Sequence, residues 1–177
     1  MKKTGGTLVI MALDKEFEQV EWYGRGPQEN YPDRKQGSRI GIYKSTVTDM
    51  FVPYVRPQET GNREDVRWAL LSDKRGRGVM FVPDKPMSVT ALHFTPEDLD
   101  KAGHLNELIP RKEIYLCLDA LQLGLGNGSC GPGVIDKYRI YPQKVEFGFT
   151  ILPVKDRKDV CDLANKVRMR VLAGESY

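Results

Sequence analysis

Apolar and polar positions alternate along most of this chain. In Val145-Glu146-Phe147-Gly148-Phe149-Thr150-Ile151 every odd position is apolar, the pattern of a strand with one buried face. Residues 18–23 place Val20 and Trp22 on one face, and Val66, Trp68 and Leu70 share a face beside Arg67. Residues 7–13 are apolar almost throughout, which predicts a strand covered on both faces. Residues 79–82, 88–94 and 114–121 bring the set to about seven strands. Gly-Pro, Pro-Gln, Pro-Asp and Asn-Gly pairs punctuate the intervals, drawn from 17 glycines and 11 prolines. Short strands at this spacing predict a mainly all-β fold, an antiparallel β-sandwich.

Two helical pieces interrupt that pattern. Thr95-Pro96-Glu97-Asp98-Leu99 is a helix start: a threonine cap, proline in the first turn, and acids that suit the helix dipole. It predicts a short helix near 96–102, two or three turns long, stopping at Gly103. From Asp156 onward, Val160, Leu163, Ala164, Val167 and Val171 recur every three or four residues. That spacing predicts an amphipathic helix packed back on the domain or on a partner chain. The chain therefore divides into a sandwich over 1–154 and a basic helical tail over 155–177, with no internal repeat or low-complexity segment.

Composition narrows the function classes. A chain of 177 residues, 40% hydrophobic and 29% charged, suits one folded domain and excludes wholesale disorder. Residues 155–170 account for the net charge of +3, since Lys155, Arg157, Lys158, Lys166, Arg168 and Arg170 there outnumber Asp156, Asp159 and Asp162. No basic stripe is left for the sandwich, so a nucleic-acid partner is not expected. No apolar run approaches the ~20 residues that span a bilayer, so a membrane partner is not expected either. The N-terminus carries no signal-peptide pattern, which leaves localisation open between cytoplasm and periplasm. Cys117, Cys130 and Cys161 lack CxxC spacing, and there are two histidines. Neither a paired disulfide framework nor a zinc site is expected.

Candidate chemistry is sparse. His93 shares a strand face with Val89 and Ala91; it reads as a hydrogen-bonded residue at a strand end, or as a general acid or donor to a sugar hydroxyl. His104 reads as a loop residue. Glycoside hydrolysis needs two carboxyl groups, about 5–5.5 Å apart for retention. The acids Glu29, Asp33, Glu59, Glu64 and Asp119 are scattered and none is expected to be catalytic. The glycine-rich run 124–133 cannot be a phosphate loop, because Pro132 and Gly133 block a following helix. It is either a wide strand connection or a loop that brings backbone amides to a ligand, with Ser129 and Cys130 at its tip.

Several ordered blocks carry a family resemblance. Trp22-Tyr23-Gly24-Arg25-Gly26-Pro27-Gln28-Glu29-Asn30-Tyr31-Pro32-Asp33-Arg34 is followed by Tyr54-Val55-Arg56-Pro57-Gln58-Glu59-Thr60-Gly61-Asn62-Arg63 and Asp65-Val66-Arg67-Trp68. His93-Phe94 with Pro96, then Leu123-Gly124-Leu125-Gly126 through Pro132, complete the series. Over about residues 7–153 the chain resembles the C-terminal domain of glycoside hydrolase family 2 β-galactosidases of the lactose-operon type. The resemblance implies part of the supersandwich fold shared with galactose mutarotases, roughly its C-terminal half. It places the catalytic glutamates and the magnesium ligands in an upstream (β/α) barrel. No catalytic residue and no cofactor is then expected in this chain, and magnesium is expected in the catalytic domain. The implied partners are those upstream domains, a galactoside substrate and further copies in a homo-oligomer. In the family the glycine-rich loop carries a tryptophan that stacks on substrate, and its position here is Cys130. The substrate-binding residues expected on this loop are Asn127, Ser129, Cys130 and Gly131. Two competing readings use other residues. An aldose 1-epimerase would use His93 or His104 as its acid. A carbohydrate-binding module would use Trp22, Tyr23 or Trp68 as a platform, although the alternation around both tryptophans favours their burial.

Overall fold

The structure is a computed structural model describing residues 8–127 and 131–173. Its strands are β1 (Leu8–Leu13), β2 (Gln19–Gly26), β3 (Arg39–Thr46), β4 (Arg63–Val66), β5 (Trp68–Ser72), β6 (Gly78–Pro83), β7 (Met87–Leu92), β8 (Ile114–Asp119) and β9 (Phe149–Val154). They form two antiparallel sheets, one in the order β1-β8-β7-β4 and the other β3-β2-β5-β6-β9. Three helices accompany them: α1 (Val47–Met50), α2 (Pro96–Lys101) and α3 (Val160–Leu172). The mainly β, sandwich-like architecture with a C-terminal helix is the one that the alternation predicts.

The principal core draws on both sheets. Val20, Trp22, Leu71 and Phe81 come from the five-stranded sheet, and Val89, Ala91, Leu116 and Leu118 from the four-stranded one. Trp22 is 2% exposed, and its indole Nε1 donates to the Arg25 carbonyl at 2.9 Å, so its burial leaves no donor unpaired. A second cluster lies on the other side of the five-stranded sheet. There Trp68, Leu70, Met80, Val82 and Val154 pack against Val160, Ala164 and Val167 of α3. Every residue of β5 is therefore buried, which is why Trp68-Ala69-Leu70-Leu71 reads as continuous apolar sequence.

Several details differ from the pattern. Val66 and Trp68 do not share a face: Val66 ends β4 in one sheet and Trp68 opens β5 in the other, so the chain changes sheets at Arg67. β1 is not covered on both faces. It pairs only with β8 at the sheet edge, where Met11 and Leu13 pack against the core while Ile10 is 41% exposed. The last strand begins at Phe149 rather than Val145, because its ladder with β6 ends at the Pro83–Phe149 pair. Phe147 still packs against the core from outside the strand. β3 was not anticipated, although Ile40 and Ile42 alternate with Gly41 and Tyr43. This edge strand turns Ile40 and Ile42 outward, 43% and 50% exposed. At α2, Thr95 is the expected cap, and Asp98 bonds back to it in a capping box. The helix ends at Lys101, since Ala102 already has extended backbone.

Candidate functional site

The loop between β2 and β3 joins the Thr60–Glu64 segment in a network of buried polar residues. It begins at Pro27, after a cis peptide bond from Gly26, and Glu29 is its hub. The Glu29 carboxylate is 8% exposed and accepts from the Gly61 amide at 2.9 Å, Thr60 Oγ1 at 3.3 Å and Arg34 Nη2 at 2.5 Å. The Tyr54 hydroxyl also donates to it. Burial first, and then this bond to Glu29, raise the Tyr54 phenol above its ordinary range.

Two asparagines stitch this loop to β4. The Asn30 amide donates to the Asn62 carbonyl at 2.9 Å, and Asn62 Nδ2 returns a bond to the Asn30 carbonyl at 2.8 Å. The Glu64 amide donates to Asn30 Oδ1 at 2.9 Å. Arg63 is buried beneath them; its Nη1 donates to the Gly61 carbonyl at 3.0 Å, and its guanidinium stacks 5.1 Å from the Trp22 ring centroid. Burial lowers the Arg63 guanidinium to about 10.

Asp33 joins the same loop to the glycine-rich run. Its Oδ2 accepts from the Gly126 amide at 2.7 Å, and the Gly124 amide donates to the Tyr138 carbonyl at 3.2 Å. Both glycines are needed there. A Cβ at Gly124 would sit 2.8 Å from Asp33 Oδ2, and Gly126 has φ +61° with Val134 N 2.6 Å from any added Cβ. Beyond the tether the run turns back on itself: Asn127 N donates to the Pro132 carbonyl at 3.0 Å, and Gly131 N donates to the Asn127 carbonyl at 2.6 Å. Asn127 and Gly131 are thus joined by a backbone hydrogen bond. Ser129 and Cys130, expected at the tip of the loop, lie outside the described residues. An open cleft of about 530 Å³ runs beside the tether, lined by Gln28, Glu29, Asp33, Arg34, Lys35 and Ser38.

Of the scattered acids, Glu29 and Asp33 serve to hold the loop. Glu29 is saturated by its four donors, and Asp33 holds the loop, so neither stands as one of an open pair of carboxyl groups. Glu59 lies near enough to Tyr31 to help raise its phenol, behind the larger effect of burial. Asp119 sits on β8 opposite Ser88. His93 takes the hydrogen-bonded role: Nε2 lies 2.9 Å from Glu18 Oε2, and Glu18 Oε1 accepts from the Thr48 amide at 2.9 Å. His104 is an exposed loop residue beside Glu107, at 3.0 Å. Trp22 and Trp68 are buried, and Arg67 lies over the Tyr23 ring at 5.3 Å, so these three aromatics form no open platform. Among the described residues no group of three His, Cys, Asp or Glu is placed to hold a metal ion. Sequence patterning missed the Asp33–Gly126 tether, which links positions 93 residues apart.

Glu64 gives this region a pH signature. Burial holds its carboxyl above the ordinary range, against the opposing pull of Ser88, Asn62 and Lys35. The folded chain then keeps a proton that the unfolded chain has already lost. Ionised Glu64 therefore costs stability as pH rises from its unfolded value of about 4.3 through its folded value. Glu64→Gln removes that cost. Its stability relative to the parent chain, from urea unfolding, is expected to climb across that window and level off above it. A difference that stays flat or falls as pH rises would contradict the assignment.

Residues 8–151 match the family described as the β-galactosidase small chain. Relatives include a β-galactosidase of Priestia megaterium, 35% identical over 67% of this chain and 11% of its own length. Another, from Staphylococcus xylosus, is 33% identical over 80% of this chain and 14% of its own. A third, from Kluyveromyces lactis, is 36% identical over 78% and 13% respectively. The chain thus spans a small part of the relatives it matches. The tethered glycine-rich run and the loop that holds it both fall inside the matched region, and the chain belongs to the β-galactosidase small-chain family.

Proposed function

We propose that this chain is the non-catalytic C-terminal part of a glycoside hydrolase family 2 β-galactosidase, one that removes terminal non-reducing β-D-galactosyl residues from lactose-like substrates. In this reading it is part of a supersandwich domain of galactose-mutarotase type. An upstream barrel supplies the paired carboxyl groups and the magnesium, and the glycine-rich loop completes the substrate site with Asn127, Ser129, Cys130 and Gly131. The observation that carries the reading is the tether. Asp33 and Tyr138 hold Gly126 and Gly124, so the glycine-rich run starts from a fixed base, as a loop reaching into a neighbouring site requires. Exposed apolar residues on edge strands, Ile10, Ile40 and Ile151, offer surface that the rest of the enzyme and its other copies would cover.

The test is Cys130→Trp in the intact parent enzyme. An added indole at the tip brings a flat apolar face toward the sugar. Its stacking is worth on the order of 1 kcal/mol, a several-fold change in KM or inhibitor affinity, while thermal stability moves little. The chain by itself is expected not to turn over a nitrophenyl galactoside, because hydrolysis needs paired carboxyl groups at the anomeric centre. Unchanged kinetics with several substrates in a folded Cys130→Trp enzyme would make Cys130 a structural residue of a strand connection.

A further inference from the structure

A second cleft is lined in part by Glu64 and Asp65 of β4. β4 pairs with β7 through Arg63–Val89 and Val66–Met87, with a break in register between them. Two residues of β4, Glu64 and Asp65, thus stand opposite Ser88 alone, which makes a β-bulge, and Asp65 has φ +54°. In a regular strand adjacent side chains point to opposite faces. The bulge instead lets Glu64 and Asp65 line one cleft of about 300 Å³ together with Met87, Gln122, Tyr138 and Gln143. A bulge and a non-glycine residue at positive φ are costly local features that gather where a side chain must be re-aimed.

The chemistry of the lining points to a neutral, hydroxyl-rich ligand. Asp65 is already engaged by Arg25 at 2.5 Å and by Lys35 at 3.1 Å. Arg139, also in the lining, is paired with Asp136 at 3.0 Å, and the exposed Lys137 ammonium lies over the Tyr138 ring, 5.2 Å from its centroid. Glu64 differs. Its Oε1 accepts from Asn62 Nδ2 at 2.8 Å and from Ser88 Oγ, whereas Oε2 has Lys35 Nζ only at 3.7 Å, too far for a hydrogen bond. Glu64 is a buried residue, and its Oε2 is left with acceptor capacity in the lining of the cleft. Burial also holds this carboxyl above its ordinary range, consistent with an incompletely solvated group. Gln122 and Gln143 make no hydrogen bond to another described residue, so two carboxamides remain to donate and accept. Leu121 and Ile140 add apolar edges. A carboxylate acceptor on a buried residue, two free amides and an apolar edge match a sugar ring, with its hydroxyl rim and its C–H face, and the volume lies at the lower end of ligand pockets.

We propose that this cleft is a saccharide-binding subsite, distinct from the glycine-rich loop, in which Glu64 Oε2 accepts from a ring hydroxyl and Gln122 and Gln143 fix its neighbours. The subsite needs no catalytic partner, so it is tested on the full 177-residue chain. Isotope-labelled protein is titrated with galactose, with lactose, and with glycerol as a generic polyol. The expected result is saturable amide shifts at Gln122, Tyr138 and Gln143 with either sugar at roughly millimolar concentration, and none with glycerol. Gln143→Ala and Gln122→Ala, both outside the core, are expected to weaken binding three- to ten-fold with an unchanged melting temperature. Absence of saturable shifts, equal shifts with glycerol, or an affinity indifferent to both substitutions overturns the subsite. Sugar-dependent shifts confined to residues 124–133 also overturn it, and leave the loop's proposed contact standing.

Discussion

Glu29→Ala is expected to destabilise the chain by about 3–5 kcal/mol, the cost of removing one partner from a buried charged network. The side chain is nearly inaccessible, and four donors converge on it from three separate segments: Arg34 in its own loop, Tyr54, and the Thr60–Gly61 corner before β4. Alanine would leave the Gly61 amide without an acceptor in a position water does not readily reach, and each such orphan costs about 1–3 kcal/mol. Arg34 is half exposed and can turn to solvent, so its share is small. Glu29→Gln separates charge from shape, because its remaining oxygen can still accept from Gly61 while the amide must face Arg34. Urea unfolding should rank the parent above Gln and Gln above Ala. For a domain of this size the alanine variant should melt on the order of 10 °C lower. A loss below about 1 kcal/mol for alanine would mean that the loop rearranges freely and Glu29 is not its hub.

Much of the sandwich is legible in the sequence because burial there follows strand periodicity. Val20 and Trp22 of β2 and the capped start of α2 are set by local pattern and capping chemistry. The sheet change at Arg67 is not, since alternation continues through Val66, Trp68 and Leu70 although they occupy two sheets. β1 and β3 show the limit from another side. Each is an edge strand with exposed isoleucine, so apolar content does not report position in the sheet. For the site, the glycine-rich run is conspicuous, and its need for close approach follows from composition. What holds it does not. The bonds from Asp33 and the Asn30–Asn62 exchange join residues far apart in sequence, and the single letters Asp and Asn also suit any turn. Glu29 is illegible for the same reason: a buried hub and a solvated loop acid have the same code.

Val167→Asp is expected to undock α3 while leaving the sandwich folded. Val167 is fully buried in the second cluster, against the face formed by Trp68, Leu70, Met80 and Val82. Substitution forfeits about 1.5–3 kcal/mol of aliphatic burial and introduces a carboxylate among apolar side chains, which costs several kcal/mol more if the contact is kept. Releasing the helix avoids most of that second cost, so the loss should stop at the free energy with which α3 docks. The two tryptophans report on different clusters. Trp68 should become solvated and shift the emission to the red, whereas Trp22 stays between the sheets. Trypsin should then cut at Lys166, Arg168 or Arg170, which follow the helix into solution. Asn165→Asp places the same charge on the exposed face of α3 and should change neither emission nor cleavage. If Val167→Asp matches that control in both measurements, α3 does not depend on this contact. If instead the whole domain unfolds in one step with the helix, α3 is part of the sandwich's own cooperative unit rather than a cover laid over its outer face.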